Sequence, residues 1–258
     1  MKRTIVAAGM AAFGAGMFSG AAVADTTLTF SAWVPWTHSL NKEVYIPWME
    51  AVTKASGGTI KFRRLPKPVA SPPAHLAAVR TGQADLGYSV HGYSPRAFAP
   101  YLFAEQPFIG DSALASSIAL WRTHKKFFAD KNYYRGVHLV GVNAHGPGLI
   151  HHRTKNILKP SDIAGQKIRT GGPIPRAIIT AWGGTSIRQP APKSYELLST
   201  GVVDGITFPY EALVGFKIVN LVKYSTYVPG GMYSSSFYFF INGRKYNSMT
   251  AAEKAAVA

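Results

Sequence analysis

The chain has 258 residues, 28 Lys+Arg against 12 Asp+Glu for a formal charge of +16, and no cysteine. Without cysteine neither a disulfide framework nor a lipidated N-terminal cysteine can form, and the length suffices for one large or two modest α/β domains. The basic residues are dispersed (Arg63-Arg64, Lys125-Lys126, Arg153, Lys155, Lys217, Lys223) and no RNA-binding motif accompanies them. Nucleic acid is therefore not an expected target, and attraction of anionic solutes is the better use of the charge.

Lys2 and Arg3 precede an uncharged run from Thr4 to Ala24 that closes on Ala22-Val23-Ala24. A basic start, an apolar stretch and a small-x-small ending predict a secretory signal peptide over residues 1–24, cleaved after Ala24. Losing Lys2 and Arg3 leaves 26 bases against 12 acids, a charge of +14. No second apolar stretch is long enough to span a bilayer, so a soluble bacterial periplasmic protein is expected. Thr27 to Val34 alternates apolar and polar residues, as a strand does. Ser39 to Ser56 reads as a helix, kinked or broken at Pro47 and ended by Gly57-Gly58. A strand over Thr59–Leu65, a proline-rich loop, a helix over Pro73–Thr81 and a strand over Leu86–Val90 follow. Then come a long helix from Asp111 to Asp130 and a strand over Val137–Val142.

The stretch GQKIRTGGPIP, Gly165 to Pro175, is a short strand, a glycine bend and a helix start. It places Arg169 at the carboxyl end of a strand, where ligands bind in open α/β sheets. A helix over Pro175–Trp182, another over Lys193–Thr200, a strand over Val203–Phe208 and a helix from Glu211 complete a βα alternation that implies largely parallel sheets. LAAVRTGQADLGYS (76–89) and YELLSTGVVDGITF (195–208) share one plan: helix, Thr-Gly, two residues, Asp, apolar strand. A plan used once per half predicts two similar lobes. Phe237–Ile241 is a further strand, and Thr250-Ala-Ala-Glu253 is a capping box. The chain stops five residues after that box, so further C-terminal helices are expected to be missing from the sequence.

AAVRTGQADLGY, EQPFIG, LKPSDIAGQKIRTGG, AWGGTSIRQPAPKSYELLSTGVVDGITFP and KIVNLVKYSTYV occur in this order and together resemble the solute-binding proteins of TRAP (tripartite ATP-independent periplasmic) transporters. That resemblance implies an α/β, two-lobed periplasmic-binding-protein fold, class II-like, with a hinge and a ligand cleft between the lobes. It implies lobe I over residues 25–145 plus 234–258 and lobe II over 146–233. It further implies no enzymatic chemistry and no cofactor, but delivery of a small organic acid to the small and large membrane subunits of an ion-gradient-driven permease. A monomer is expected, with a dimer as the alternative. The arginine of the KIR strand end clasps the solute carboxylate in the family, which carries over to Arg169. Its paired N–H donors match the two oxygens of a carboxylate.

Two departures from the family pattern point to the solute. Gly148 or Leu149 stands where many relatives carry a second arginine, and Phe208 stands where many carry an asparagine. One arginine beside an aromatic wall predicts a monocarboxylate with an apolar or aromatic body rather than a dicarboxylate. Trp33, Trp36 and His38 after the first strand, Ser89, His91 and Tyr93 after the third, and His145, Gly148, Phe208 and Tyr210 are further candidates for the cleft, with Tyr210 preferred to Glu211. The alternatives are a C4-dicarboxylate or 2-oxo acid receptor, a solute-binding subunit of a membrane sensor kinase, and a metal-dependent enzyme built on His138, His145, His151 and His152. The histidine spacing matches no compact zinc motif. A serine hydrolase is excluded by the lack of a GxSxG elbow.

Overall fold

The computed structural model describes residues 25–258; the expected signal peptide lies outside the described residues. The first half of the chain forms β1 (Thr26–Phe30), α1 (Ile46–Ala55), β2 (Ile60–Arg64), α2 (His75–Arg80), β3 (Leu86–Val90), α3 (Ala113–Thr123) and β4 (Val137–Ala144). The second half forms β5 (Leu149–His152), β6 (Lys167–Thr170), α4 (Pro173–Ala181), β7 (Thr185–Arg188), α5 (Ser194–Ser199), β8 (Gly205–Phe208), α6 (Tyr210–Gly215) and β9 (Tyr224–Thr226). It closes with β10 (Ser236–Asn242), α7 (Gly243–Ser248) and α8 (Ala251–Val257).

The ten strands make two five-stranded sheets in the orders β2-β1-β3-β10-β4 and β7-β6-β8-β5-β9. The two orders share one plan. In each sheet the three strands of a βαβαβ run are parallel, a fourth strand joins antiparallel beside the third, and a fifth pairs only with the fourth. The repeated sequence plan sits at equivalent places in both. Gly82 (φ +90°) and Gly201 (φ +72°) take the left-handed conformation just past α2 and α5, which glycine adopts without a Cβ penalty. The acids that follow then tie the next strand to its neighbour. Asp85 accepts from the Thr29 N–H at 2.8 Å, and Asp204 accepts from the Lys167 N–H at 2.7 Å.

Burial follows the period of two. On β10, Tyr238 and Phe240 pack with Phe98, Tyr101 and Tyr134 on one face, while Phe239 and Ile241 pack with Leu28, Phe30 and Tyr45 on the other. β3 is buried along its whole length, as a central strand covered on both faces must be. The second sheet packs Ile150, Ile168 and Ile179 on its outer side. On its inner side Leu198, Ile206, Phe208 and Leu213 join the cluster of Leu28 and Phe30, so one apolar contact runs between the two sheets.

Several expected elements are displaced, each for a local reason. The helix expected over Ser39–Ser56 is one turn of wide, π-type helix at Leu40–Tyr45 followed by α1, with Pro47 in the first turn of α1. Proline offers no N–H to the preceding turn, which widens rather than breaking. The first strand stops at Phe30 instead of Val34; beyond it the chain turns so that the Trp33 indole donates to the Tyr88 carbonyl at 2.9 Å. The helix expected to reach Asp130 ends at Thr123 in another π-type turn over His124–Phe128. At the C-terminus the Thr250–Glu253 capping box is formed in both directions. Among the described residues no helix is long and apolar enough to cross a membrane.

Candidate functional site: an anion seat between the two sheets

The chain passes between the sheets twice, from β4 to β5 and from β9 to β10. The two passing segments pair with each other. The Gly148 N–H donates to the Tyr233 carbonyl at 2.7 Å, the Met232 N–H to the Gly148 carbonyl at 2.9 Å, and the His145 N–H to the Ser235 carbonyl at 3.2 Å. Contacts between the sheets close over this pair. Arg188 donates to the carbonyls of Gly92 and Tyr93 at 3.2 Å each, and the Tyr93 hydroxyl accepts from the Ala191 N–H at 3.0 Å.

Between the sheets lies a cavity of about 280 Å³. Its walls are mainly apolar: Trp33, Val34, Leu40 and Val90 from the first half, Phe208, Ala212 and Phe216 from the second, and Phe237 from β10. Phe208 and Phe216 stack with centroids 5.2 Å apart and planes 6° apart. Tyr233, Ser235 and Phe237, alternate residues leading into β10, all face the cavity, as do Asn143 and His145 at the end of β4.

Arg169 reaches this cavity from β6 and is only 1% exposed. Its Nε and Nη2 donate to the Gln189 carbonyl at 2.9 and 2.7 Å, and its Nη1 donates to the Thr207 carbonyl at 3.3 Å. The guanidinium carbon stands 4.6 Å from the Phe208 ring centroid, a cation–π contact that fixes the plane of the group. A guanidinium has five N–H donors; these three bonds leave one N–H on each terminal nitrogen. No carboxylate of the described residues pairs with it. Burial lowers the Arg169 pKa, opposed by the nearby Tyr93 and Tyr233 phenols, yet arginine stays charged. The result is a desolvated cation beside the Tyr93 hydroxyl, with no carboxylate of the described residues to pair it. Such a group is costly unless an anion completes it.

The other expected site residues divide. Trp33, His38, Tyr93, His145 and Phe208 line the cavity. Gly148 lies behind it: a β-carbon there would fall 2.2 Å from Cε1 of Tyr233, which does line it. Trp36 and His91 are corrected, because their side chains turn into the first lobe. The Trp36 indole donates to the Leu65 carbonyl at 2.8 Å and meets the Phe30 ring edge-on. His91 bonds to Ser236 Oγ and the Tyr134 hydroxyl and stacks on Tyr101. Ser89 likewise donates to the Pro72 carbonyl. The order of Tyr210 and Glu211 is reversed: Tyr210 is half exposed against His151 outside the cavity, and Glu211 lines it. Burial pushes the Glu211 carboxyl up. Tyr233 and Phe216 were not read as site residues. Extending the Phe237 alternation backward through Ser235 finds Tyr233; no local signal finds Phe216.

The histidines proposed as metal ligands are engaged elsewhere. His151 bonds to Ser225 Oγ and the Phe208 carbonyl, His152 to Gln166 Oε1, and His138 stacks on Tyr246. Among the described residues no three candidate ligands come together. All eight histidines have pKa values held below the ordinary 6.5, chiefly by burial; His91 falls to about 3, and His145 and His151 to about 4. The unfolded chain therefore takes up protons first as pH falls through 6.5, so native stability drops from there downward. Buried Glu105, pushed up to about 7, acts in the opposite sense; its stabilising share is complete below the ordinary carboxylate pKa and fades as pH rises through 7. Eight groups outweigh one. Urea midpoints should fall steadily between pH 6.5 and 4, each fully shifted histidine contributing a slope of up to about 1.4 kcal/mol per pH unit.

Residues 30–258 match DctP, the bacterial extracellular solute-binding protein family 7. The chain belongs to this family of extracellular solute-binding proteins. It is similar to a TRAP periplasmic solute-binding protein of Bordetella bronchiseptica crystallised with (R)- and (S)-mandelate: TM-score 0.87, 39% identity, 90% of this chain and 74% of that one. It is similar also to a marine metagenome TRAP solute-binding protein described as specific for aromatic acids, solved with 3-hydroxybenzoate: TM-score 0.84, 31% identity, 91% of this chain and 74% of that one. A more distant relative, the outer membrane transporter protein TsaT of Comamonas testosteroni, is 25% identical over 234 residues, covering 90% of this chain and 69% of its own length.

Proposed function

We propose that this protein captures an organic monoacid in the periplasm, holds its carboxylate on Arg169, and presents the closed, loaded form to the membrane subunits of a TRAP transporter. The observation that carries this is the buried guanidinium that no carboxylate of the described residues pairs. The preference for one carboxylate rests on the charges in the wall. Arg169 is the one Lys or Arg among the described residues lining the cavity, while Glu43 and Glu211 line it as well. A second carboxylate on the solute would meet like charge and no cation. The stacked Phe208 and Phe216, with Trp33 and Phe237, suit a flat apolar body, and the relatives solved with mandelate and 3-hydroxybenzoate hold solutes of that class.

In this proposal the lobes are residues 25–145 with 234–258, and 146–233, and residues 1–24 direct export and are removed after Ala24. Solute shifts the population toward the closed state by its preference for that state. The test is a calorimetric and thermal-shift panel of mandelate, benzoate, 3-hydroxybenzoate, pyruvate and succinate. The aromatic monoacids should stabilise the protein, by about 2.7 kcal/mol at a hundred times Kd, and succinate should not. Binding of succinate with none of the aromatic acids would overturn the assignment.

A further inference from the structure

A carboxylate offers about four lone-pair sites, of which a guanidinium edge fills two. Around Arg169 the structure supplies two further hydroxyls. Tyr93 and Tyr233 both line the cavity beside Arg169. They come from different parts of the chain: Tyr93 follows β3, Tyr233 sits on the segment returning to β10, and Arg169 belongs to the other sheet. The Tyr93 oxygen accepts from the Ala191 N–H, which leaves its own hydrogen free to be given away. The Tyr233 hydroxyl stands beside the Thr207 hydroxyl, at the same wall of the cavity as Arg169. Burial raises the pKa of both phenols, so both remain protonated donors.

The Tyr233 ring has its place because residue 148 has no side chain. Gly148 is buried and pairs with Tyr233 backbone to backbone, and a β-carbon on it would lie 2.2, 2.4 and 2.7 Å from Cε1, Cδ1 and Cζ of that ring. These atoms run along one edge of the ring, which stands edge-on to His145 with centroids 5.6 Å apart. The ring cannot stay where it is beside any other residue at 148.

We infer that Tyr93 and Tyr233 complete the seat around Arg169 by donating their hydroxyl hydrogens to the bound carboxylate, and that Gly148 is the positioning residue that admits the Tyr233 ring to that seat. The inference rests on the carboxylate proposal above and adds a consequence for selectivity. The seat carries one positive charge, the guanidinium N–H groups and two hydroxyls, enough to satisfy a single carboxylate. Because Tyr93 is held to Ala191 across the two sheets, its hydroxyl arrives only when they meet, so the full grip is a property of the closed form.

The test is titration calorimetry with (R)-mandelate and with 3-hydroxybenzoate on the unsubstituted protein and its variants, beside thermal melts without ligand. Tyr93→Phe and Tyr233→Phe should each weaken binding about ten-fold or more, as loss of a hydrogen bond to a charged group does. Gly148→Ala should weaken it at least as much, yet change affinity less than two-fold when added to Tyr233→Ala, where no ring remains to be displaced. Phenylalanine variants that bind within two-fold of the parent overturn the hydroxyl assignment. An equal loss from Gly148→Ala in both backgrounds overturns the positioning role. If the unsubstituted protein binds neither acid, the carboxylate proposal itself fails; if it binds and the variants are unchanged, only the completed seat fails.

Discussion

Arg169→Ala should weaken binding of an aromatic monoacid by roughly 150- to 4,000-fold, the equivalent of the about 3–5 kcal/mol typical when one member of a buried ion pair is removed. Calorimetry on the variant should show no measurable heat at ligand concentrations that saturate the parent. Arg169→Lys should recover only part of the loss, because an ammonium keeps the charge without the paired, coplanar donors. The guanidinium also ties the Gln189 and Thr207 carbonyls together. Its removal orphans both, so the alanine variant should melt lower than the parent even without ligand. The diagnostic is therefore the ligand-induced shift in melting temperature. A variant with a full shift would remove Arg169 from the site.

The second large effect is expected at Gly215→Ala. His38, from the segment after β1, packs its ring edge against the end of α6 and meets Phe216 at 5.1 Å. A β-carbon at position 215 would stand 2.3 Å from His38 Nε2 and 2.5 Å from Cδ2. The ring has little freedom to retreat: it is buried, and its Nδ1 accepts from the Leu40 N–H at 3.2 Å. His38 follows β1 of the first sheet and Gly215 ends α6 after β8 of the second, so in the proposed two-lobe closure the clash should act on closing rather than on either sheet alone. Overpacking of this kind costs about 1–3 kcal/mol, which is roughly five- to 150-fold in affinity. The unliganded melting temperature should hold within a degree or two. His38→Ala in the same chain should restore most of the affinity, and a Gly215→Ala protein that binds like the parent would show that this contact plays no part in closure.

His38 also shows how the site and the sequence relate. It follows the first strand, and position alone ranked it no higher than its neighbour Trp36; yet one lines the cavity and the other is anchored to Leu65. Position after a strand end does not tell which way a side chain turns. Arg169 was legible because strand, glycine bend and helix start are all local, and that geometry is enough to aim a residue at a cleft. The two-lobe repeat was legible for a similar reason: Gly82 and Gly201 need left-handed backbone, and the acids Asp85 and Asp204 recur at the same spacing after them, each bonding the neighbouring strand. The cavity wall was not. Phe216, Tyr233 and Phe237 meet there only because β10 leaves the second sheet's neighbourhood and inserts between β3 and β4. The short strands β5, β7 and β9, of three or four residues, carry too little alternation to be read as strands.

That insertion of β10 sets an order of assembly. Every strand of the second sheet lies between Leu149 and Thr226, whereas the first sheet needs residues up to Asn242 before β4 has any neighbour to bond. A nascent chain emerging from its N-terminus can thus complete the later unit first and must leave the earlier one gapped, with β3 and β4 presenting bare edges. Pairings of such long separation are slow to form, and unpaired edges invite contact with other chains. The sheet begun first is the sheet finished last, and its vulnerability to misassembly ends only when a strand made after the whole second sheet fills the gap.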